Sequence, residues 1–174
     1  FARQQPIAVL HFAGLVRVEE SVRQPQRYFD INVGGTLVLH EACRDAGIRN
    51  FIFSSSAAVY GAPKVVPISE QHPTQPLSPY GESKLLSERL LTDFEESAGI
   101  ASCSLRYFNA AGLDTEHDLS WSQSGRSHLI PSLLEVASGA RAELVVHCAD
   151  YETQDGTCVR DYVHVSDLAQ GHVR

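Results

Sequence analysis

The sequence predicts an α/β fold, an open parallel sheet with helices on both faces. Three observations carry this. Short apolar runs alternate with longer stretches of helical spacing, the order expected of repeated strand–helix units. The runs at 7–12 and 50–53 are mostly apolar rather than alternating, as in strands covered on both faces. Hydrophobic residues make up 43% of the 174 positions and charged residues 20%, enough apolar material for one domain core.

The elements follow in order. The first strand occupies 7–12 and is ended by Gly14. Helical spacing runs from Glu19 to Ala46. Pro25 interrupts or starts the main helix there, Val33, Leu37, Leu39, Ala42 and Cys43 supply its buried side, and Gly47 suits its C-terminal cap. The second strand, 50–53, runs into Ser54-Ser55-Ser56. Five prolines between 62 and 79 mark a surface loop. A helix then starts with Ser78 as cap and Pro79 in its first turn, carries Leu85, Leu86, Leu90 and Leu91 as its apolar stripe, and stops at Gly99. The third strand covers 101–107. Regularity then fails until Leu129. The polar stretch 114–127 reads as a mobile loop, in which Trp121 is a packing anchor or a partner contact. A short helix at 129–137, a strand near 144–146, a polar loop through Gly156, a strand at 159–163 and a helix from Ser166 complete the chain.

Composition narrows the partners. Acidic side chains outnumber basic ones by 21 to 14, a net charge of −7, which repels phosphate backbones and makes nucleic acid a poor partner. A phosphate-bearing ligand must then be held by individually placed Arg or Lys. Only Lys64 and Lys84 are lysines. No run approaches the roughly 18 apolar residues of a membrane helix, so no membrane partner is expected. The four cysteines are too scattered for a CxxC site or a disulfide framework, and reduced cytoplasmic thiols are the default. Eight histidines lack zinc-site spacing, so no metal is expected, and His11 and His164 read as hydrogen-bonded structural residues. Methionine is absent even at position 1, and the chain reads as an internal fragment of a longer protein.

In open parallel sheets ligands bind beyond the carboxyl ends of the strands. That rule selects 11–15, 54–56 and 108–109, all rich in small or polar residues, although any strand end also needs turn residues. The sharpest local signal is Tyr80-Gly81-Glu82-Ser83-Lys84. Residues four apart share a helix face. A free tyrosine titrates near pKa ~10, and a lysine cation one turn away favours its phenolate. Such a pair can take a proton from an alcohol while hydride leaves for a nicotinamide. Chance alone gives this spacing in roughly 7% of shuffled chains. Ser54-Ser55-Ser56 adds hydroxyls able to relay the proton.

Phe53 to Gly61 (FSSSAAVYG), Pro79 to Lys84 (PYGESK) and Leu105 to Asn109 (LRYFN) together resemble the extended short-chain dehydrogenase/reductases. His11-Phe12-Ala13-Gly14-Leu15 and the stretch Asp155 to Val165 (DGTCVRDYVHV) narrow the resemblance to the UDP-glucose 4-epimerases. It runs along nearly the whole chain in the family's order. The resemblance implies an incomplete Rossmann-type sheet. Residues 1–112 would be the C-terminal part of an NAD-binding domain carrying the catalytic pair, and 113–174 part of a smaller nucleotide-sugar-binding region. It implies bound NAD, with Tyr80 as the base at the sugar 4-hydroxyl, Ser56 bridging Tyr80 and substrate, and Lys84 on the nicotinamide ribose. Phe12, Ala13, Gly14, Leu15, Asn32, Ser54 and Phe108 match cofactor-binding positions. Asn109, His128, Leu129, Val145, His147 and Arg160 match UDP-sugar positions, with Arg160 on the diphosphate, a task its planar fork suits. The family's dimer seam would fall on the helices around 33–43 and 85–91, making the full-length parent a homodimer.

Departures accompany the match. The family's opening strand, glycine-rich turn (GxxGxxG) and helix are not in this sequence, nor are its C-terminal residues. Val16 stands where the family has Lys, His128 where it has Asn, His147-Cys148 where it has Phe-Gly, and Ala58 where Thr is common. The expected function is therefore a fragment of an NAD-dependent UDP-glucose/UDP-galactose 4-epimerase. Alternatives are a UDP-pentose 4-epimerase, a decarboxylase or a 4,6-dehydratase of the same fold, or a truncated chain without catalysis. Dehydratases place an acidic pair at Ser56-Ala57, which this chain does not have. The 174 residues alone are expected to be inactive, marginally stable and self-associating.

Overall fold

The computed structural model describes residues 5–113, 128–146 and 149–174. The chain divides into two compact units, Phe1–Phe108 and Asn109–Arg174. Both are built on parallel strand pairs with accompanying helices, an α/β architecture.

In the first unit, β1 (Val9–His11), β2 (Asn50–Ser54) and β3 (Ala101–Leu105) form a parallel sheet in the order β1-β2-β3. Phe51 lies opposite Val9 on one side and Ser102 on the other. The first strand is shorter than its apolar run, and it is not covered on both faces: Ile7 and Leu10 are exposed while His11 is buried. Among the described residues β1 pairs on one side only, which leaves its outer half to solvent. The third strand likewise stops at Leu105.

Between β1 and β2 the helical stretch is broken into α1 (Val18–Arg23), α2 (Pro25–Tyr28), a π-helical segment (Phe29–Gly34) and α3 (Gly35–Asp45). Pro25 starts α2 after a non-helical Gln24. The buried residues are Asn32, Thr36, His40 and Cys43 rather than the apolar set. Of that expected set only Cys43 is fully buried, and Val33, Leu37, Leu39 and Ala42 are half-buried. The buried stripe is polar because Asn32 and Thr36 bond one another and neighbouring elements. The helix ends in a Schellman motif: Ile48 N–H donates to Cys43 C=O at 2.9 Å, Gly47 N–H donates to Arg44 C=O at 3.0 Å, and Gly47 has φ 72°.

The Pro-rich stretch after the 3₁₀ turn Ala57–Tyr60 forms no strand or helix before α4 (Pro79–Ala98). The Ser78 hydroxyl accepts from Gly81 N–H at 3.1 Å, and Gly99 closes the helix with φ 62°. Cys43, Ile48, Phe51, Phe53, Leu91 and Ile100 form the main core, and Val59, Tyr60 and Leu85 a second cluster.

The second unit holds β4 (Asn109–Ala111) paired in parallel with β5 (Tyr162–His164), plus α5 (Leu129–Ala137) and α6 (Val165–Val173). The short helix has the bounds its spacing predicts. The strand expected near 144–146 is not formed, β4 was not expected, and β5 starts three residues later than its apolar run suggests. Three-residue strands lack the length for a readable pattern. The expected loop at 114–127, with Trp121, lies outside the described residues.

Candidate active site

Helix α4 begins directly under the 3₁₀ turn that follows β2. A Cβ on Gly81 would lie 2.8 Å from Ala58 O and 2.9 Å from Pro76 Cβ, so only glycine permits this approach. The approach sets Tyr80 beside Ser56, whose hydroxyl hydrogen-bonds it. Ser56 Oγ also accepts from Ala58 N–H at 3.2 Å, capping the turn. The Tyr80 ring packs edge-on against Tyr28, centroids 6.4 Å apart.

Lys84 is 3% exposed. Its Nζ donates to Ser54 C=O at 2.8 Å and lies 4.8 Å from the centre of the Phe53 ring. Burial pulls its pKa down to about 8, with the Glu88 carboxylate opposing the fall. Tyr80 differs from the expectation of a lysine-lowered phenol. Burial raises its pKa, the Ser56 hydrogen bond lowers it, and Tyr107 raises it. Lys84 spends its contact on the Ser54 carbonyl and the Phe53 ring rather than on the phenol.

Asn32 joins three elements. Its Oδ1 accepts from Leu15 N–H at 2.8 Å, and its Nδ2 donates to Leu15 C=O at 3.1 Å and to Ser83 Oγ at 2.9 Å. Both N–H groups are thus used within the protein, so Asn32 fixes the loop after β1 against α4. Thr36 Oγ1 donates to Asn32 C=O at 2.6 Å and also bonds His11 Nε2 at 3.0 Å. A Cβ on Gly14 would sit 3.0 Å from Asn32 Oδ1 and 3.7 Å from Lys84 Nζ. The bare backbone of Gly14 therefore runs beside the lysine, flanked by exposed Phe12 and Ala13 and half-buried Leu15.

The fold thus brings Phe12 to Leu15, Asn32, Ser54, Ser56, Tyr80 and Lys84 together around the carboxyl ends of β1 and β2. Phe108, the last residue of this unit, is half exposed, and the Ser54 hydroxyl bonds Tyr107. Sequence reasoning missed Ser83, Glu88 and Arg106. Glu88 carries no local signal, because its partners Ser55 and Arg106 come from the ends of two strands.

In the second unit, Asn109 donates from both its backbone N–H (3.2 Å) and its side chain (2.7 Å) to Asp161 C=O. His128 starts α5 and Leu129 follows it, both exposed, as are Val145 and Arg160. Arg160 forms no ion pair with another described residue. His147 lies outside the described residues. His164 Nδ1 accepts from Ser166 N–H at 3.2 Å and caps α6, a structural role as expected.

Comparison with known proteins agrees with this site. The profile of the NAD dependent epimerase/dehydratase family matches residues 1–174. The UDP-glucose 4-epimerase of Rhizobium leguminosarum bv. trifolii is 47% identical over 99% of this chain and 53% of its own length. That of Streptomyces lividans is 49% identical over 95% of the chain and 49% of its own. The crystal structure of UDP-glucose 4-epimerase from Brucella ovis in complex with NAD superposes with a TM-score of 0.92 at 46% identity, covering 99% of this chain and 53% of that one. The enzyme from Bifidobacterium longum in complex with NAD+ and UDP gives 0.92 at 43%, over 99% and 52%. The chain spans about half the length of the curated relatives it matches. With a family match along its whole length and a Tyr–Ser–Lys cluster at its strand ends, the chain belongs to the NAD dependent epimerase/dehydratase family.

Proposed function

We propose that this chain is the central part of an NAD-dependent UDP-glucose 4-epimerase, acting on UDP-glucose and UDP-galactose. The observation that carries the reading is the buried Tyr80, bonded to Ser56, one turn before a buried Lys84. NAD fits the cradle at Gly14, where any side chain would crowd Asn32 and touch Lys84. Phe12, Ala13, Gly14, Leu15, Ser54, Lys84 and Phe108 would hold it. When bound, NAD supplies the acceptor and donor of the hydride at sugar C4.

The chain's own residues do the rest. Tyr80 Oη accepts the proton of the sugar 4-hydroxyl and later returns it to the inverted oxygen. Ser56, already bonded to Tyr80, relays that proton and orients the hydroxyl. Lys84 remains mostly cationic at neutral pH and favours the phenolate once substrate excludes water. Arg160 neutralises the diphosphate, with Asn109, His128, Leu129, Val145 and His147 about the nucleotide-sugar. The proposal includes a homodimer and a cytoplasmic enzyme. Exposed Val38 on α3 suits the first, and three free cysteines among the described residues suit the second.

The test is the purified full-length enzyme containing this chain. UDP-galactose and UDP-glucose should interconvert with NAD retained on the protein. Elimination or decarboxylation products instead would replace this reading with another activity of the family.

A further inference from the structure

Ser55 lies between two residues of the candidate site but takes no part in it. It is 2% exposed, and its hydroxyl donates to Glu88 Oε1. Glu88, itself 7% exposed, receives Arg106 as well, with Nε at 3.0 and 3.1 Å from its two oxygens and Nη2 at 2.5 Å. Arg106 follows β3 and donates also to Tyr60 Oη at 3.2 Å and Glu70 C=O at 3.4 Å, with its guanidinium carbon 5.0 Å from the centre of the Tyr60 ring. One carboxylate thus ties together the end of β2, the end of β3 and α4. The Lys84 ammonium and the Tyr80 hydroxyl each meet this same strand end, through Ser54 C=O and Ser56.

We propose that Glu88 is a positioning residue for the proton-transfer pair, holding the Ser54–Ser56 turn against α4 through Ser55 and Arg106. The proposal rests on the catalytic reading of Tyr80 and Lys84 given above. A hydrophobic residue at 88 would satisfy the helix stripe. A carboxylate there needs Ser55 and Arg106 to offset its desolvation, and that geometry fixes the turn. Glu88 also faces Lys84 from one turn away and resists the loss of its proton. The other titratable groups about the pair are His11 from β1, which faces Lys84, and Tyr107 after β3, which faces Tyr80; Arg106 is the cation that competes for Glu88.

The test uses the full-length enzyme containing this chain, in which Lys84 is assigned as the signal that Lys84→Arg removes. With ¹³C-labelled lysine, NMR titration gives one curve for Lys84 and one for Lys64. In Glu88→Gln, which keeps an acceptor for Ser55 but loses the charge, the Lys84 midpoint should fall below about 8, with Lys64 unmoved. Glu88→Asp should restore part of the shift. If Glu88→Gln fails to fold, Ser55→Ala decides. Freeing the turn rehydrates Lys84 and leaves Glu88 with one donor fewer, so the midpoint should rise. An unmoved Lys84 midpoint in a folded variant overturns the proposal. Because this readout needs neither NAD nor a UDP-sugar, its failure leaves the epimerase reading intact. Loss of the epimerase reading likewise leaves the titration standing.

Discussion

In the first unit Tyr80 and Lys84 are buried and held from several sides, whereas in the second His128, Leu129, Val145 and Arg160 stand in solvent. Tyr80 and Lys84 are 9% and 3% exposed; Leu129 and Val145 are 48% and 50%. A proton-transfer group must sit within a few tenths of an ångström of its partner, which takes a packed and fully bonded surround. A group that grips a diphosphate or covers a sugar gains by giving up water only when the ligand arrives. In the proposed reading the exposed Arg160 would keep its hydration and its five donors for that moment.

The sharpest way to break this contrast is Tyr80→Phe in the full-length enzyme. Turnover should fall by roughly 10²–10⁴ with UDP-sugar binding little changed, read by steady-state kinetics alongside calorimetric binding. Arg160→Leu should do the reverse. KM for the UDP-sugar rises about ten- to hundredfold, as for a charge-assisted contact of about 1.5–3 kcal/mol, while kcat and the melting temperature stay near wild type. An unchanged KM with a lowered melting temperature would place Arg160 in the scaffold instead.

Stability should separate the units too. Gly81→Ala pushes a methyl within 3 Å of the Ala58 carbonyl and of Pro76, and should cost about 1–3 kcal/mol in urea melts. Gly139→Ala has open space about its Cβ, and its penalty should come from φ 74° alone, about 1 kcal/mol. A smaller effect concerns acid. Burial lowers the pKa of His11 and His40 below 6.5, so the folded chain binds fewer protons than the unfolded one. Their contribution is complete above about pH 6.5 and is lost as pH falls below it. Denaturation midpoints at pH 7.5 and 5 should show the loss, and His40→Leu should lessen it, since His40 Nε2 has no partner among the described residues.

Much of this unit was legible because its signals are local. Ser78-Pro79 and Gly99 bracket α4, and Gly47 closes α3, each through backbone chemistry that one or two residues decide. The Tyr80–Lys84 pair is legible for the same reason. What was not legible depends on partners far along the chain. Thr36 and Asn32 replace apolar residues on the buried face of their helix because His11, Leu15 and Ser83 meet them there. Of the paired three-residue strands, β5 was expected with an earlier start, while β4 shows only through its partner, Asn109 opposite Tyr162. Glu88 reads as surface until Ser55 and Arg106 arrive from two strands.

The burial of Lys84 has a practical side. Lys64 lies exposed in the Pro-rich loop, so an amine-reactive reagent at neutral pH meets one lysine side chain and spares the other. Lys84 becomes acylable only when α4 parts from the end of β2. Its modification rate, followed by peptide mass against the internal standard of Lys64, is therefore a clock for local opening at the site itself, separate from unfolding of the rest of the chain.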